Sequence, residues 1–149
     1  MIGVSKKFDR TLYELADKTA RDITKPLIKR LFQFDCEDNP DKYGVDLLAY
    51  KDGTLVNFVE CELSGVWDNE PFPYEFVRLP ERKGKFTNLM RPTYFVMINR
   101  TRTKAIVYSS DKVKISSLRE VSNFYNRTGE FFFHIPKSEV MEVDLIDSK

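Results

Sequence analysis

YGVDLLAYKDGTLVNFVECEL, residues 43–63, decides the fold because it has the pattern of a β-hairpin. Two largely apolar runs, 45–50 and 55–63, lie on either side of the four residues 51–54. The Asp-Gly pair within those four residues strongly favours a tight hairpin turn. The segment therefore predicts two antiparallel strands that are neighbours in a sheet.

The second run ends with two acidic residues one position apart, Glu60 and Glu62. Side chains alternate between the faces of a strand, so both carboxylates point to one face, with Asp46 within reach on the first strand. Three converging oxygen donors suit a hard cation, Mg²⁺ or Mn²⁺. The alternative is a surface edge strand whose charges oppose aggregation. The opposite face is predicted to carry Val59, Cys61 and Leu63.

The composition is that of one folded domain with a single core. The chain has 149 residues, of which 42% are hydrophobic and 13% aromatic, which excludes a disordered chain. No apolar run approaches the length of a membrane span, and the first ten residues lack a signal-peptide core. Cys36 and Cys61 are expected to be free thiols in a reducing compartment, the cytoplasm.

Charge is distributed unevenly, although the net charge is only +1. Residues 35–75 contain eleven acidic and two basic residues, whereas residues 78–104 contain eight basic residues and one acidic residue. Residues 1–30 are also basic. An acidic centre between basic segments is typical of a metal site inside a cradle for a polyanion, although lumpy surface charge alone gives a similar pattern.

Periodicity predicts a helix over residues 5–23 capped by Ser5, and a second helix that begins at Pro26. Residues 35–42 are predicted to be an acidic loop, and residues 80–90 a short basic helix or turn. The run 93–99 fits a central strand. Further predicted elements are strands at 76–79, 104–109, 131–136 and 140–145, a strand or helix lead-in at 113–118, and a loop at 123–130. This order predicts an α/β or α+β fold with a mixed sheet flanked by helices.

Aromatic side chains are frequent in the irregular segment that follows the hairpin. They either anchor the loop in the core, the commoner role, or stack on nucleic-acid bases. The single histidine, His134, excludes zinc sites and nuclease centres that need several histidines, and it is expected to pack in a strand. The aromatic residues concerned are Trp67, Phe72, Tyr74 and Phe76.

The pattern resembles the PD-(D/E)XK nuclease superfamily, whose core holds an Asp near one strand and a (D/E)-x-K tripeptide on the next. Here Gly44-Val45-Asp46 is similar to the first element, and Glu60-Cys61-Glu62 stands where the tripeptide belongs. The resemblance covers residues 8–110 and leaves a strand-rich extension, 111–149, in the same single domain. It implies a restriction-endonuclease-like core. The pattern also looks like that of small phage proteins, which would place the chain in a host cytoplasm.

The sequence departs from the family at Glu62, where the lysine belongs. The resemblance allows either a glutamate in that position or a lysine moved to a nearby helix, with Lys83 or Lys85 as candidates. It implies that Asp46, Glu60 and the Cys61 carbonyl would bind Mg²⁺ or Mn²⁺, and that Glu62 would orient or deprotonate the attacking water.

Four basic residues are expected to contact DNA phosphates, with a solvated basic face as the alternative: Arg78, Arg82, Lys83 and Lys85. Glu14 is a further candidate acid for the metal site, although an exposed helix carboxylate is the better interpretation. The main hypothesis is a divalent-metal-dependent endonuclease acting on DNA, including branched DNA, and by analogy with relatives a homodimer. Its alternatives are an inactive relative that binds nucleic acid or protein, and a structural or host-interaction protein without a nucleic-acid role.

Overall fold

A computed structural model describes residues 10–121 and 129–145. The fold is α+β, as the sequence predicts, with a mixed six-stranded sheet and a second, three-stranded sheet. Ser5 and most of the predicted loop 123–130 lie outside the described residues. The elements are α1 (Arg10–Phe32), β1 (Asp35–Asp38), β2 (Leu47–Lys51), β3 (Thr54–Leu63), β4 (Phe76–Pro80), β5 (Thr93–Ile98), β6 (Lys104–Ser109), β7 (Leu118–Val121), β8 (Glu130–Pro136) and β9 (Met141–Asp144).

The predicted hairpin is confirmed as β2 and β3, which pair antiparallel. Its turn places Asp52 at φ 51° and Gly53 at φ 79°. Two successive positive φ angles belong to the turn whose twist matches that of the flanking strands, and Asp-Gly tolerates them at small cost. The Asp-Gly pair therefore closes the hairpin at Lys51 and Thr54, and a register shift between Ala49 and Tyr50 then brings Leu47 opposite Val59, next to the acidic residues.

The main sheet has the order β1-β2-β3-β5-β6-β9. The central pair β3 and β5 is parallel, and every other pair is antiparallel. Parallel neighbours require a crossover connection. Here the connection contains β4 and a 3₁₀ segment (Glu81–Thr87), where the sequence predicted a strand and then a short basic helix or turn.

The prediction of a second helix beginning at Pro26 is wrong, because α1 continues through that residue to Phe32. Pro26 is exposed on the outer side of the helix, whereas Leu27 and Ile28 are buried against the sheet. The apolar face is thus continuous across the proline. Its burial offsets the backbone hydrogen bond that the proline cannot donate.

The predicted loop at 35–42 is wrong for its first half, since β1 pairs with β2 along its whole length. The strand is polar and lies at the edge of the sheet, where Lys29 Nζ reaches Asp35 Oδ1 (2.8 Å) and Lys25 Nζ reaches Asp38 Oδ1 (3.0 Å). Backbone pairing and these contacts with α1 hold a strand that hydrophobic periodicity does not mark.

Residues beyond 110 contribute to both sheets. A 3₁₀ segment (Ile115–Ser117) leads into β7, so neither alternative for 113–118 is quite what forms. The strand β8 lies between β4 and β7 in the second sheet, and β9 forms an edge of the main sheet beside β6. The extension is therefore part of the fold and supports segments far earlier in the chain.

Two apolar clusters cover opposite faces of the main sheet. On one face Ala20, Leu27 and Ile28 of α1 pack against the sheet. On the other face the second sheet packs through Val77 and Ile135. The sheet is thus covered by one helix and by a second sheet, whereas the sequence predicted helices. Among residues 10–121 and 129–145, no helix is long and apolar enough to cross a membrane.

Candidate metal and phosphate site

The candidate site lies just before β2 begins, beside the last residues of β3. Leu47–Val59 is the last pair of the hairpin, so Asp46 precedes the ladder. The Asp46 amide donates a hydrogen bond to Glu60 Oε1 (3.2 Å), and Asp46 Oδ2 accepts one from the Cys61 amide (2.9 Å). These two bonds take the place of the backbone pairs that would form if β2 extended further along β3. They fix the Asp46 carboxylate beside Glu60.

The predicted alternation along β3 is confirmed. Val59 and Cys61 belong to the apolar cluster on the α1 side of the sheet. Glu60 and Glu62 share the other face, where both meet one cation: Lys83 Nζ lies 3.2 Å from Glu60 Oε2 and 3.5 Å from Glu62 Oε1. The side chain of Glu60 is 10% exposed and that of Lys83 is 16% exposed, whereas Glu62 is 41% exposed. The Glu60–Lys83 pair is therefore largely shielded from water.

Lys83 belongs to the 3₁₀ segment, which packs against the core between the two sheets. Phe86 is buried in the cluster between the two sheets, and Thr87 Oγ1 donates a hydrogen bond to the Gly84 carbonyl (2.7 Å). A Cβ atom on Gly84 would lie 3.1 Å from Cε2 of Phe133 in β8. Glycine therefore lets this segment approach the second sheet closely, and that approach places Lys83 over the two glutamates.

Burial and mutual repulsion alter the protonation of the site. Burial and the neighbouring Asp46 charge raise the pKa of Glu60 to about 7, although Lys83 opposes them. Burial also raises the pKa of Asp46, against the hydrogen bond from the Cys61 amide. Burial alone would lower the pKa of Lys83, but the Glu62 and Glu60 carboxylates outweigh it and raise that pKa. Lys83 is therefore an ammonium at neutral pH. It lies beside Asp46 and Glu60, whose carboxyl groups resist being ionised at the same time.

These groups line an open cleft of about 310 Å³ between α1, the end of β3 and the 3₁₀ segment. Such a volume accommodates one phosphate group with its neighbouring atoms. The helix approaches the strand closely here because its lining residues include the small side chains of Ala16 and Ala20. The charged residues that line the cleft are Asp17, Asp46, Glu60, Glu62, Arg82 and Lys83.

The four predicted phosphate contacts separate into two places. Arg82 and Lys83 line the cleft, and Lys85 lies in the same 3₁₀ segment with its Nζ 5.1 Å from the centre of the Phe86 ring. Arg78 projects from β4, opposite the buried Val77, and lines a different cleft beside the outer surface of the second sheet. Arg78 is thus separated from the other three by the fold.

Asp17 is the carboxylate of α1 that lines the cleft among the described residues, whereas Glu14 does not line it. Asp17 also forms an ion pair with Arg21, which in turn lies 3.3 Å from Asp38 Oδ1 through its Nε. The helix acid predicted from the sequence is Glu14, whereas Asp17 is the one that lines the cleft. The spacing to Ala20, one turn later on the buried face, was the signal that could have identified it.

The three-carboxylate cation site expected from the hairpin is not what forms. Within the described part of the chain, no group of three or more His, Cys, Asp and Glu side chains could hold a metal ion. The reason is visible at Glu62, whose carboxylate is directed to Lys83.

A smaller donor set fits Mg²⁺, an ion that often uses one or two protein carboxylates together with water and substrate phosphates. Asp46 and Glu60 are neighbouring carboxylates, of which Glu60 is buried and Asp46 is partly buried. The Cys61 amide faces Asp46, and the carbonyl of the same strand residue projects to the same side. The residues present therefore fit a divalent ion held by few protein ligands.

Of the aromatic residues after the hairpin, Trp67 and Phe72 are buried and in edge-to-face contact, so they anchor the loop in the core. Tyr74 and Phe76 are exposed. His134 lies in β8 with one ring nitrogen 3.2 Å from the Phe132 carbonyl.

Neither the models of known protein families nor the curated proteins give a match to this chain.

Proposed function

We propose that this protein is a divalent-metal-dependent nuclease that hydrolyses phosphodiester bonds, acting on DNA. The observation that supports this proposal best is the meeting of Asp46, Glu60 and Lys83 in one cleft, at the ends of hairpin strands. A buried and a partly buried carboxylate next to a partly buried ammonium are costly to maintain in a fold. Binding a metal ion and a polyanionic substrate would offset that cost, because the ion neutralises the carboxylates and the ammonium pairs with the substrate.

Asp46, Glu60 and the Cys61 carbonyl would hold Mg²⁺ or Mn²⁺. The bound ion would supply charge neutralisation at the phosphate and lower the pKa of a coordinated water. The hydrogen bond from the Cys61 amide fixes the Asp46 carboxylate in advance. Because the carboxylate is already fixed, binding the ion would cost less side-chain entropy.

Lys83 and Glu62 would share the role that a single lysine has in the nuclease superfamily that the sequence resembles. Lys83 stays protonated, so it donates hydrogen bonds to a phosphate oxygen and stabilises the negative charge that builds in the transition state. Glu62 is the more exposed of the two glutamates on this face and lies beside Lys83. It would orient the attacking water and accept its proton.

Arg82 and Lys85 would hold the neighbouring phosphates of the strand. Both belong to the 3₁₀ segment that carries Lys83, and neither is paired with a carboxylate among residues 10–121 and 129–145. Their charges therefore remain available to a polyanion.

The test is a cleavage assay on supercoiled plasmid, linear duplex, a four-way junction, single-stranded DNA and RNA. Each substrate is incubated with Mg²⁺, with Mn²⁺ and with EDTA. Asp46→Asn is compared with Asp52→Asn, which makes the same chemical change in the exposed hairpin turn, where asparagine also tolerates a positive φ. Metal-dependent cutting that Asp46→Asn abolishes and Asp52→Asn retains is expected. An intact substrate in every lane would contradict the proposal.

The second candidate is an inactive relative that binds nucleic acid or a protein. It is favoured by the ion pairs of Lys83, which neutralise Glu60 and Glu62 without a metal. In that case Asp46→Asn would bind DNA as tightly as the natural sequence does while neither protein cuts it. A gel-shift titration beside the cleavage assay separates the two functions.

A further inference from the structure

A second concave surface lies on the outer face of the three-stranded sheet, away from the acidic cleft. We call it the outer groove and define it by Phe76, Lys112, Lys114, Arg119 and His134. Its volume is about 380 Å³. That is within the size range of sites for small organic ligands and suits one nucleotide unit.

Three basic residues line the outer groove, against one acidic lining residue, Glu139. Arg119 Nη1 donates to the carbonyls of Ser116 (2.7 Å) and Leu118 (2.9 Å), and Lys114 Nζ donates to the Asp111 carbonyl (2.9 Å). Among the described residues, no carboxylate forms an ion pair with Lys112, Lys114 or Arg119. Neutral carbonyls thus position these cations without cancelling them, which favours an anionic ligand.

An aromatic platform borders the same groove. Phe76 is 39% exposed, and its ring meets that of His134 edge to face, with centroids 5.6 Å apart and an interplanar angle of 77°. The two residues lie on the face of the second sheet opposite the buried Val77 and Ile135. Holding an exposed phenylalanine in a fixed orientation offers a flat surface on which a base can stack.

The outer groove is connected to the surroundings of the acidic site. Phe76 also lines a neighbouring cleft of about 490 Å³ together with Arg78 and Met97. Met97 lies opposite Glu62 in the parallel pairing of β5 with β3. Phe76 is therefore shared by the two clefts, and Met97 of the neighbouring cleft lies beside Glu62.

We propose that the outer groove is a second nucleic-acid site that binds a single-stranded segment. Phosphates lie against Lys112, Lys114 and Arg119, and a base stacks on Phe76. A single strand is the ligand that fits, because a duplex hides the faces of its bases whereas the groove combines cations with an exposed ring. The choice of nucleic acid as the polyanion rests on the proposed function.

The experiment measures binding of a fluorescent single-stranded oligonucleotide by anisotropy in EDTA, so that cleavage does not contribute. Lys112→Glu is compared with Lys51→Glu, which reverses one charge in the hairpin turn. Phe76→Leu removes the ring and keeps an apolar side chain. At about 100 mM salt we expect Lys112→Glu to weaken binding about tenfold and Phe76→Leu about fivefold. Lys51→Glu should stay within about twofold of the natural sequence.

Equal weakening by Lys112→Glu and Lys51→Glu would overturn the proposal, because net charge alone would then explain binding. No binding of single-stranded DNA or RNA by the natural sequence would also overturn it. Circular dichroism of each variant verifies that the fold is intact. Plasmid cleavage is assayed separately. Binding that depends on Lys112 in a protein that cuts no substrate would contradict only the nuclease proposal. Cleavage by a protein whose binding does not depend on Lys112 would contradict only the proposal that the outer groove binds nucleic acid.

Discussion

Lys83 Nζ lies 3.2 Å from Glu60 Oε2, although the two residues belong to distant parts of the fold. Glu60 lies in β3 of the main sheet, and Lys83 lies in the 3₁₀ segment that follows β4 of the second sheet. The contact joins the acidic end of the hairpin to the second sheet. Of the two lysines that the resemblance offered, Lys83 lies beside the glutamates, whereas Lys85 Nζ lies over the Phe86 ring.

Replacing Lys83 with methionine is expected to lower the free energy of unfolding by about 2 kcal/mol at neutral pH. The reason is that Glu60 would remain buried beside Asp46 without its cation. Urea denaturation measures the change. Lys51→Met is the matched control, because Lys51 is exposed in the hairpin turn, and it should change the stability by less than about 0.5 kcal/mol. Equal stability of the two variants would show that the ion pair contributes nothing.

Mg²⁺ is expected to raise the melting temperature of the natural sequence, because the ion binds only the folded arrangement of Asp46 and Glu60. An ion at about ten times its Kd stabilises the fold by about 1.4 kcal/mol. The shift should disappear in Asp46→Asn and Glu60→Gln and persist in Asp52→Asn. Differential scanning fluorimetry with and without EDTA measures it, and a shift of the same size in all four proteins would place the ion elsewhere.

Pro26→Ala is expected to stabilise the protein by about 1–2 kcal/mol. Alanine restores an amide that donates to the Asp22 carbonyl one turn earlier in α1, and no buried contact is lost because Pro26 is exposed. Chemical denaturation provides the measurement. Lys18→Ala, at another exposed position of the helix, should change stability by less than about 0.5 kcal/mol. A destabilised Pro26→Ala protein would mean that the proline ring itself supports packing.

Cys36 is expected to react slowly with iodoacetamide in the native protein. Burial raises the pKa of its thiol to about 11, against the nearby charge of Lys25. The reactive thiolate therefore forms only as the pH rises toward that value. At pH 8 alkylation should be about a hundredfold slower than in the unfolded chain, and it should accelerate about tenfold for each pH unit up to pH 10. Mass spectrometry locates the label, and Cys36→Ser is the control.

The hairpin and the alternation of its acids could be predicted because both depend on local sequence. Asp52-Gly53 fixes the turn, and a period of two fixes the faces. The site beyond the hairpin depends on distant contacts. The position of Lys83 requires the approach of Gly84 to Phe133, which no pattern in residues 80–90 contains.

The errors have the same origin. Pro26 has a local cost in a helix, but burial of Leu27 and Ile28 outweighs that cost. The polar segment at Asp35 gives no strand pattern, yet β2 offers it a complete set of backbone partners. Asp17 lines the cleft one turn before the buried Ala20, and only the packing of α1 on the sheet shows that this side of the helix meets the acidic end of β3.

The contact between Gly84 and Phe133 has a consequence for synthesis of the chain. The segment that carries Lys83 rests on β8, which the ribosome makes long after the hairpin. A nascent chain that has released only the hairpin and β5 has both carboxylates but no fixed lysine beside them. The charged cluster is therefore completed late, and a ribosome-bound chain stalled before β8 should lack the fixed contact of Lys83 with the two glutamates.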